Sequence, residues 1–172
     1  DNNTMLGDSA GRNVTSGSQN TLIGKNAGFF MDNESGNTFM GAFAGYLGND
    51  GDDNTFLGAR AGYQNIGNDN TFIGSEAGRN NTSGTDLTFI GERAGFQNTT
   101  GNNLTIIGVE AGYNNTTGFD NTFVGKTAGR QNTTGYRNSA VGNEALYDVS
   151  TGHHNAAFGD SAGLDNGSGM YN

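Results

Sequence analysis

The chain has 172 residues, a net charge of −9 and 32% hydrophobic residues, with 31 glycines and no proline, cysteine or tryptophan. The acidic balance disfavours nucleic acid as a partner, the lack of cysteine excludes disulfides, and no apolar run is long enough to insert into a membrane. Low hydrophobicity is also typical of disordered chains. However, 11 phenylalanines and 6 tyrosines recur at regular positions, which favours a folded repeat.

A motif of the form N/L-T-F-Φ-G-x-x-A-G, where Φ is aliphatic, recurs along the chain. Its central glycines are spaced by 17 residues, with one spacing of 16. They define ten rungs of a single repeat array over residues 1–172, numbered in chain order by Gly7, Gly24, Gly41, Gly58, Gly74, Gly91, Gly108, Gly125, Gly142 and Gly159. An alanine follows three residues after every central glycine.

Each motif predicts a short strand that ends at its central glycine, followed by turns. Rung two has an altered turn over residues 29–34, and the missing residue of the short spacing falls near residues 66–69. Rungs six to eight carry an N-T-T-G turn that begins at Asn98, Asn115 or Asn132. The strand weakens in the last two rungs, and rung nine has Leu146 where the motif has its second glycine.

The repeat length predicts an all-β fold, because helix-pair repeats need more than 30 residues and better helix formers. We expect a β-solenoid, a parallel β-roll of ten 17-residue coils. Rungs that pair at about 4.8 Å form a rod about 45 Å long, in which identical residues stack into ladders. The alanines predict a narrow interior. The chain stops at Asn172, which fits the first position of an eleventh rung, so we expect a segment of a longer fibre.

Two neighbouring apolar columns precede the central glycines. The phenylalanine column lies two residues before it, and the aliphatic column lies directly before it. Because successive side chains of a strand point to opposite faces, one column is expected to face outward. We interpret Phe39, Phe56, Phe72, Phe89, Ile106 and Phe123 as an outward strip that joins copies of the chain into a parallel bundle of three. Alternatively, the aliphatic residue sits at a corner and both columns point into a monomer.

The N-T-F-Φ-G-x-x-A-G unit resembles the head repeats of trimeric autotransporter adhesins, whose motif is N-S-Φ-A-Φ-G-x-x-A. It is also similar to repeats of bacterial and phage tail-fibre-like proteins. The resemblance implies a left-handed parallel β-roll, a homotrimer, surface display and attachment. The present repeat is longer than a typical head repeat and has phenylalanine where that motif has a smaller residue.

No constellation typical of an enzyme is found, since a periodic array offers the same groups in every rung instead of one defined site. We predict no catalytic residue, no metal site and no cofactor. His153 and His154 are interpreted as residues of a solvated turn. The glycine-rich calcium motif of other β-rolls is missing, so the acidic residues are interpreted as solubilising charge.

Two sets of surface residues are candidates for contacts. One column mixes aromatic residues with arginine, and Tyr46, Tyr63, Phe96 and Tyr113 in it are candidate ligand contacts, because such side chains are enriched in binding hot spots; they could equally cover neighbouring backbone. Sequons make Asn80, Asn98, Asn115 and Asn132 possible glycosylation sites along one edge, with Asn166 as a further member. The turn-forming chemistry of N-T-T-G is the favoured explanation of these sequons.

These features predict a structural or adhesive segment of an extracellular or surface-displayed fibre, located on a cell surface or a virion. Its partners would be further copies of itself and a host surface protein or glycan. An ice-binding solenoid with a threonine-rich face is the alternative, based on a threonine column with eight members.

Overall fold

The structure is a computed structural model that describes residues 2–48, 51–165 and 167–170. Asn166 and Asn172, named above as a sequon and as the start of an eleventh rung, lie outside these ranges. The described residues form ten strands and no helix, and none of them belongs to a segment that could cross a membrane as a helix. The strands are β1 Thr4–Leu6, β2 Thr21–Ile23, β3 Thr38–Met40, β4 Thr55–Leu57, β5 Thr71–Ile73, β6 Leu87–Ile90, β7 Leu104–Ile107, β8 Thr122–Val124, β9 Ser139–Val141 and β10 Ala156–Phe158.

All ten strands lie in one parallel sheet, in chain order from β1 to β10. Each residue pairs with the equivalent residue of the next rung, so that Thr38 pairs with Thr55 and Phe39 with Phe56. The rings of Phe39 and Phe56 stack with centroids 4.6 Å apart. The predicted β-solenoid with like residues in register is therefore confirmed.

The short spacing does not disturb this register. Thr55 still pairs with Thr71, although they are 16 residues apart. The side chain of Asn65 donates a hydrogen bond to the carbonyl of Gly67, two residues later, whereas Asn81 and Asn98 each bond to a glycine three residues later. The missing residue is thus absorbed in the turn at Ile66, within the region that the sequence indicated.

The phenylalanine column faces the interior, so the predicted outward strip is wrong. Phe39 is 2% exposed, and the remaining members of the predicted interface are fully buried, namely Phe56, Phe72, Phe89, Ile106 and Phe123. The aliphatic column faces outward, with Leu57 43% exposed. The strand alternates as a regular strand should, which also excludes the alternative with both columns inside.

The second glycine of the motif makes room for the rings. In rung six a Cβ atom added to Gly95 would clash with the ring of Phe89, and in rung five one added to Gly78 would lie 2.5 Å from Cε2 of Phe72. Both glycines have φ near +58°, a left-handed conformation that glycine adopts without steric cost. The position four residues after the central glycine therefore has to be small where the strand places a phenylalanine ring in the interior.

The central glycines allow the rungs to approach each other. Their φ angles lie between 129° and 145°. A Cβ atom on Gly24 would lie 2.7 Å from the carbonyl carbon of Gly41 in the next rung. Since a real Cβ atom does not reach this distance from backbone, a side chain at this position would push neighbouring rungs apart.

The alanine column lines the narrow part of the interior, as predicted. Its members in rungs two to nine are fully buried: Ala27, Ala44, Ala61, Ala77, Ala94, Ala111, Ala128 and Ala145. Buried asparagines fill the rest of the interior, which has few apolar side chains. They also form hydrogen bonds between successive rungs. For example, Oδ1 of Asn37 accepts a hydrogen bond of 2.9 Å from the backbone of Asn54, and its Nδ2 donates one of 2.9 Å to the carbonyl of Gly51.

Candidate interaction surfaces

The described residues contain no cluster of three or more histidine, cysteine or acidic side chains that could hold a metal ion. His153 and His154 belong to a surface stack at the carboxy-terminal rungs. The ring of His153 lies 4.6 Å from that of Tyr136, which in turn stacks on Phe119 at 4.9 Å. The Nδ1 atoms of the two histidines are 2.9 Å apart. Their geometry is that of a ring column continued across rungs.

The outer face of the sheet carries two uncharged columns. The threonine column contains Thr4, Thr21, Thr38, Thr55, Thr71, Thr88, Thr105, Thr122, Ser139 and Ala156, and the aliphatic column contains Leu6, Ile23, Met40, Leu57, Ile73, Ile90, Ile107, Val124, Val141 and Phe158. All of these side chains are partly or fully exposed. With about 10 Å of strand per rung and about 4.8 Å between rungs, this outer strip covers roughly 400 Å².

A second surface column consists of aromatic rings interrupted by guanidinium groups, which we call the ring–arginine column: Arg12, Phe29, Tyr46, Tyr63, Arg79, Phe96, Tyr113, Arg130 and Tyr147. Phe96 and Tyr113 stack at 5.0 Å, and Tyr46 and Tyr63 at 5.2 Å. Arginines fill the remaining steps, with Arg79 5.4 Å from the ring of Tyr63 and 5.6 Å from that of Phe96. Such contacts contribute about 0.5–1.5 kcal/mol each.

The candidate ligand contacts Tyr46, Tyr63, Phe96 and Tyr113 all lie in the ring–arginine column. Their ring faces are covered by rings or guanidinium groups of the neighbouring rungs, and the four side chains are only partly exposed. A ligand could meet these residues at their edges, but it could not stack on them without displacing a neighbour. Their role in binding stays a prediction, with this geometric restriction.

Ion pairs run beside the ring–arginine column. Glu76 contacts Arg60, Arg79 and Arg93, and Glu110 contacts Arg93 and Arg130. The hydrogen bond from its Nε to Glu76 raises the pKa of Arg93 above its ordinary value. For Arg130 partial burial lowers the pKa, but the hydrogen bond to Glu110 and nearby negative charge outweigh it, so the net direction is upward. These pairs link rungs along the rod axis.

Three of the four possible glycosylation sites are excluded by their burial. Asn98, Asn115 and Asn132 are fully buried, and each Nδ2 donates both to the preceding asparagine of the column and to the glycine carbonyl of its own turn. A glycan needs that nitrogen at the surface. Asn80 lies in the neighbouring column instead, where it is partly exposed and donates to Gln97 at 3.0 Å, so it alone of the four stays a candidate.

Rungs two and three break the surface pattern. In rungs four to eight the position after the ring–arginine column holds an amide: Gln64, Asn80, Gln97, Asn114 or Gln131. Rungs two and three have Phe30 and Leu47 there, which are 43% and 39% exposed. Sequence reasoning noted the altered turn of rung two but did not identify this patch, although the substitution of an amide column by two apolar residues was a readable signal.

The chain matches no family model, and neither the curated proteins nor the solved structures contain a significant match to it.

Proposed function

We propose that this chain is a structural and adhesive segment of an extracellular or surface-displayed fibre. The observation that carries the proposal is the continuity of the backbone pairing: the same in-register hydrogen bonds join neighbouring rungs from β1 to β10. Because rungs linked in this way form a stiff rod with continuous surface columns, the molecule suits spacing and display along its length.

Self-association is part of the proposal, and the outer strip is the surface that supports it. Neither of its two columns contains a charged side chain, on a chain whose net charge is −9. Burying this strip therefore desolvates no ions and removes aliphatic side chains from water, at about 25 cal/mol per Å² of apolar area. The strip is smaller than the ~800 Å² per partner of a standard interface, so surface on either side of it has to contribute to the contact.

A parallel homotrimer provides two contacts per chain, and the resemblance to trimeric adhesin heads supports that number. The left-handed winding implied by the same resemblance belongs to this proposal. Host surface proteins or glycans are the proposed targets of the remaining surface, and a cell surface or virion is the proposed location.

Sedimentation equilibrium of the purified chain tests self-association. Ile73→Asp and Ile107→Asp place charges on the outer strip without entering the interior, and we expect them to dissociate the oligomer. Thr117→Asp, at an exposed turn position, is the matched control and should leave the mass unchanged. A wild-type chain that is monomeric at micromolar concentration would refute the oligomer.

Electron microscopy and adhesion measurements test the rest. In electron micrographs we expect straight rods. In the adhesion measurement, beads coated with the chain should attach to cells that live in the same environment as the source organism. In the source organism, antibodies should label intact cells or particles, and external protease should remove the label. Labelling that requires permeabilised cells contradicts the proposed location.

Ice binding remains the second candidate, and one observation favours it: the threonine column faces outward on the parallel sheet, beside the aliphatic column. Rungs one to eight each supply a single threonine to this column, and rungs nine and ten have Ser139 and Ala156 there. The regular pairs of threonine hydroxyls expected on a threonine-rich face are therefore not formed. Thermal hysteresis and shaping of ice crystals measure this activity. A solution of the chain that produces neither effect eliminates the candidate.

A further inference from the structure

The patch in rungs two and three differs from the ring–arginine column in the orientation of its rings. Phe30 meets Phe29 at 4.8 Å and 69°, and Tyr46 at 5.3 Å and 80°. Both contacts are edge-to-face, whereas Phe96 and Tyr113 are nearly parallel at 1°. Phe30 is also 43% exposed. Among the described contacts no ring stacks parallel to Phe30, so a ligand can reach the exposed part of its ring.

Phe30 is held by a rigid support. Its backbone nitrogen donates to the carbonyl of Tyr46 at 3.2 Å, and that of Met31 donates to Gly28 at 3.2 Å. The side chain of Met31 is 1% exposed, which anchors the next residue in the interior. A ligand therefore meets an aromatic group whose backbone is already ordered, and this reduces the entropic cost of binding.

An open surface depression lies beside this ring. It is lined by Arg12, Asn13, Val14, Thr15, Phe30 and Asp32. The side-chain hydroxyl of Thr15 donates to the carboxylate of Asp32 across the rung boundary, and the guanidinium of Arg12 lies 5.5 Å from the centre of the Phe29 ring. The lining thus combines one apolar ring and Val14 with amide, hydroxyl, carboxylate and guanidinium groups.

We propose that this depression binds a neutral saccharide. A pyranose ring has an apolar C–H face and a rim of hydroxyl groups. The C–H face can pack on Phe30, which gains dispersion and removes apolar surface from water. The hydroxyls can donate to Asp32 and to the amide oxygen of Asn13, and accept from Arg12 and from the amide nitrogen.

Charge favours a neutral ligand over an acidic one. The lining of the depression contains one cation, Arg12, and one carboxylate, Asp32. The buried carboxylate of Glu34 lies behind them and accepts a hydrogen bond from the backbone of Asp32, so the site has no excess of positive charge for an acidic ligand. The whole chain carries a charge of −9, which repels anionic polymers at a distance. This inference rests on the proposed adhesive function, for which it names the class of target.

The experiment is a glycan microarray of neutral and acidic oligosaccharides probed with the fluorescent full chain, followed by saturation-transfer NMR with the neutral disaccharide that binds best. We expect binding to neutral glycans. Phe30→Ala should weaken it by about tenfold or more, as loss of a central aromatic contact does. Phe30→Trp should retain it, because the larger ring keeps the packing face.

Phe119→Ala is the matched control. It removes a surface ring of similar exposure, 39%, that stacks on Tyr136 and does not line the depression, so it should leave binding unchanged. The proposal is overturned if no neutral glycan binds in a Phe30-dependent manner, or if sialylated or sulfated glycans alone bind. If saccharide binding fails while the rods still associate and adhere, the proposed function survives without this site.

Discussion

Rung eight and rung nine fill the same interior space in opposite ways. Rung eight has the large side chain on the strand, Phe123, and a glycine in the following turn, Gly129. Rung nine has Ala140 on the strand and Leu146 in the turn, and both are buried. A Cβ atom on Gly129 would lie 2.6 Å from Cδ2 of Phe123, so the two large side chains could not coexist.

The exchange shows that rungs eight and nine keep a large side chain in the interior although the position that supplies it changes; rung ten, with Ala157 and Gly163, supplies none. Leu146 adopts the left-handed conformation of the glycines it replaces, with φ of 49°. This conformation costs a non-glycine residue about 1–2 kcal/mol, which the buried side chain offsets. In contrast, every rung keeps its central glycine. A side chain at this position would collide with the backbone of the next rung, which cannot move aside as a side chain can.

The largest effect is therefore expected at a central glycine. A Cβ atom introduced by Gly91→Ala would lie 2.5 Å from the carbonyl oxygen of Gly108, so we expect a loss of more than about 4 kcal/mol or no folded protein. Urea unfolding followed by circular dichroism measures the loss. Gly159→Ala is the control, since its φ of 130° is similar but nothing lies within 4 Å. Equal losses of unfolding free energy at the two sites would show that glycine is required here because of backbone strain and not because the rungs lie close together.

A slightly smaller loss is expected for Phe89→Ala. The ring is fully buried and stacks on Phe72 at 4.9 Å, so its removal leaves a cavity that costs about 3–5 kcal/mol. The same unfolding measurement applies.

The double variant Phe89→Ala with Gly95→Leu transfers the arrangement of rung nine to rung six. We expect it to recover about 1–2 kcal/mol of the loss, reduced by the strain of leucine in a left-handed conformation. Gly95→Leu alone should be more destabilising than the double variant, because leucine then competes with the ring. Additive losses would show that the two positions do not share one space.

An intermediate effect is expected in the buried asparagine column. Asn115→Ala removes the donor to Asn98 and to Gly118 and the acceptor for Asn132. Asn132→Ala removes no acceptor that is in use, because Oδ1 of Asn132 has no partner where the column meets Val149. We expect Asn115→Ala to cost about 2–3 kcal/mol and Asn132→Ala about 1 kcal/mol less. The midpoints of urea unfolding compare the two, and equal values contradict the assigned bonds.

The smallest effect is expected in the ring–arginine column. Tyr113→Ala removes the stack on Phe96 and the contact with Arg130 at 5.1 Å, which together contribute about 1–2 kcal/mol at this partly exposed position. Phe123→Ala, in the interior, should cost at least twice as much in the same assay. Similar losses would mean that the outer column carries as much of the stability as the core.

The fold follows from the sequence because its dominant signal is the spacing of the central glycines. A period of 17 residues with alanine in every rung leaves few arrangements other than stacked coils, and the position of the missing residue at Ile66 follows from the same alignment. The direction of the phenylalanine column does not follow, because strand alternation separates two faces without indicating which is inside. Ala140 and Leu146 together indicated the direction of this column. The strand residue is small in the same rung in which the turn residue is large, as expected of two positions that share the interior.

The surface sites were harder to predict because burial depends on how the coil closes. N-T-T-G reads as an exposed turn, yet closure of the coil brings Asn98 inside, where its amide satisfies backbone that lacks other partners. The availability of a ring face likewise depends on the rungs above and below. Tyr63 and Phe30 are both surface aromatic residues, but Tyr63 is stacked between Tyr46 and Arg79 of the neighbouring rungs, whereas Phe30 has only edge-to-face ring contacts and is 43% exposed.

The in-register bonding between rungs also determines how the rod responds to force. Each coil is bonded to the coils directly before and after it, so tension applied between the chain ends acts on one pair of coils at a time. The chain then peels from an end in steps of 17 residues, each at the cost of a single rung, while bending must distort many rungs at once. Such a molecule resists bending, yet it lengthens gradually when its two ends are pulled apart.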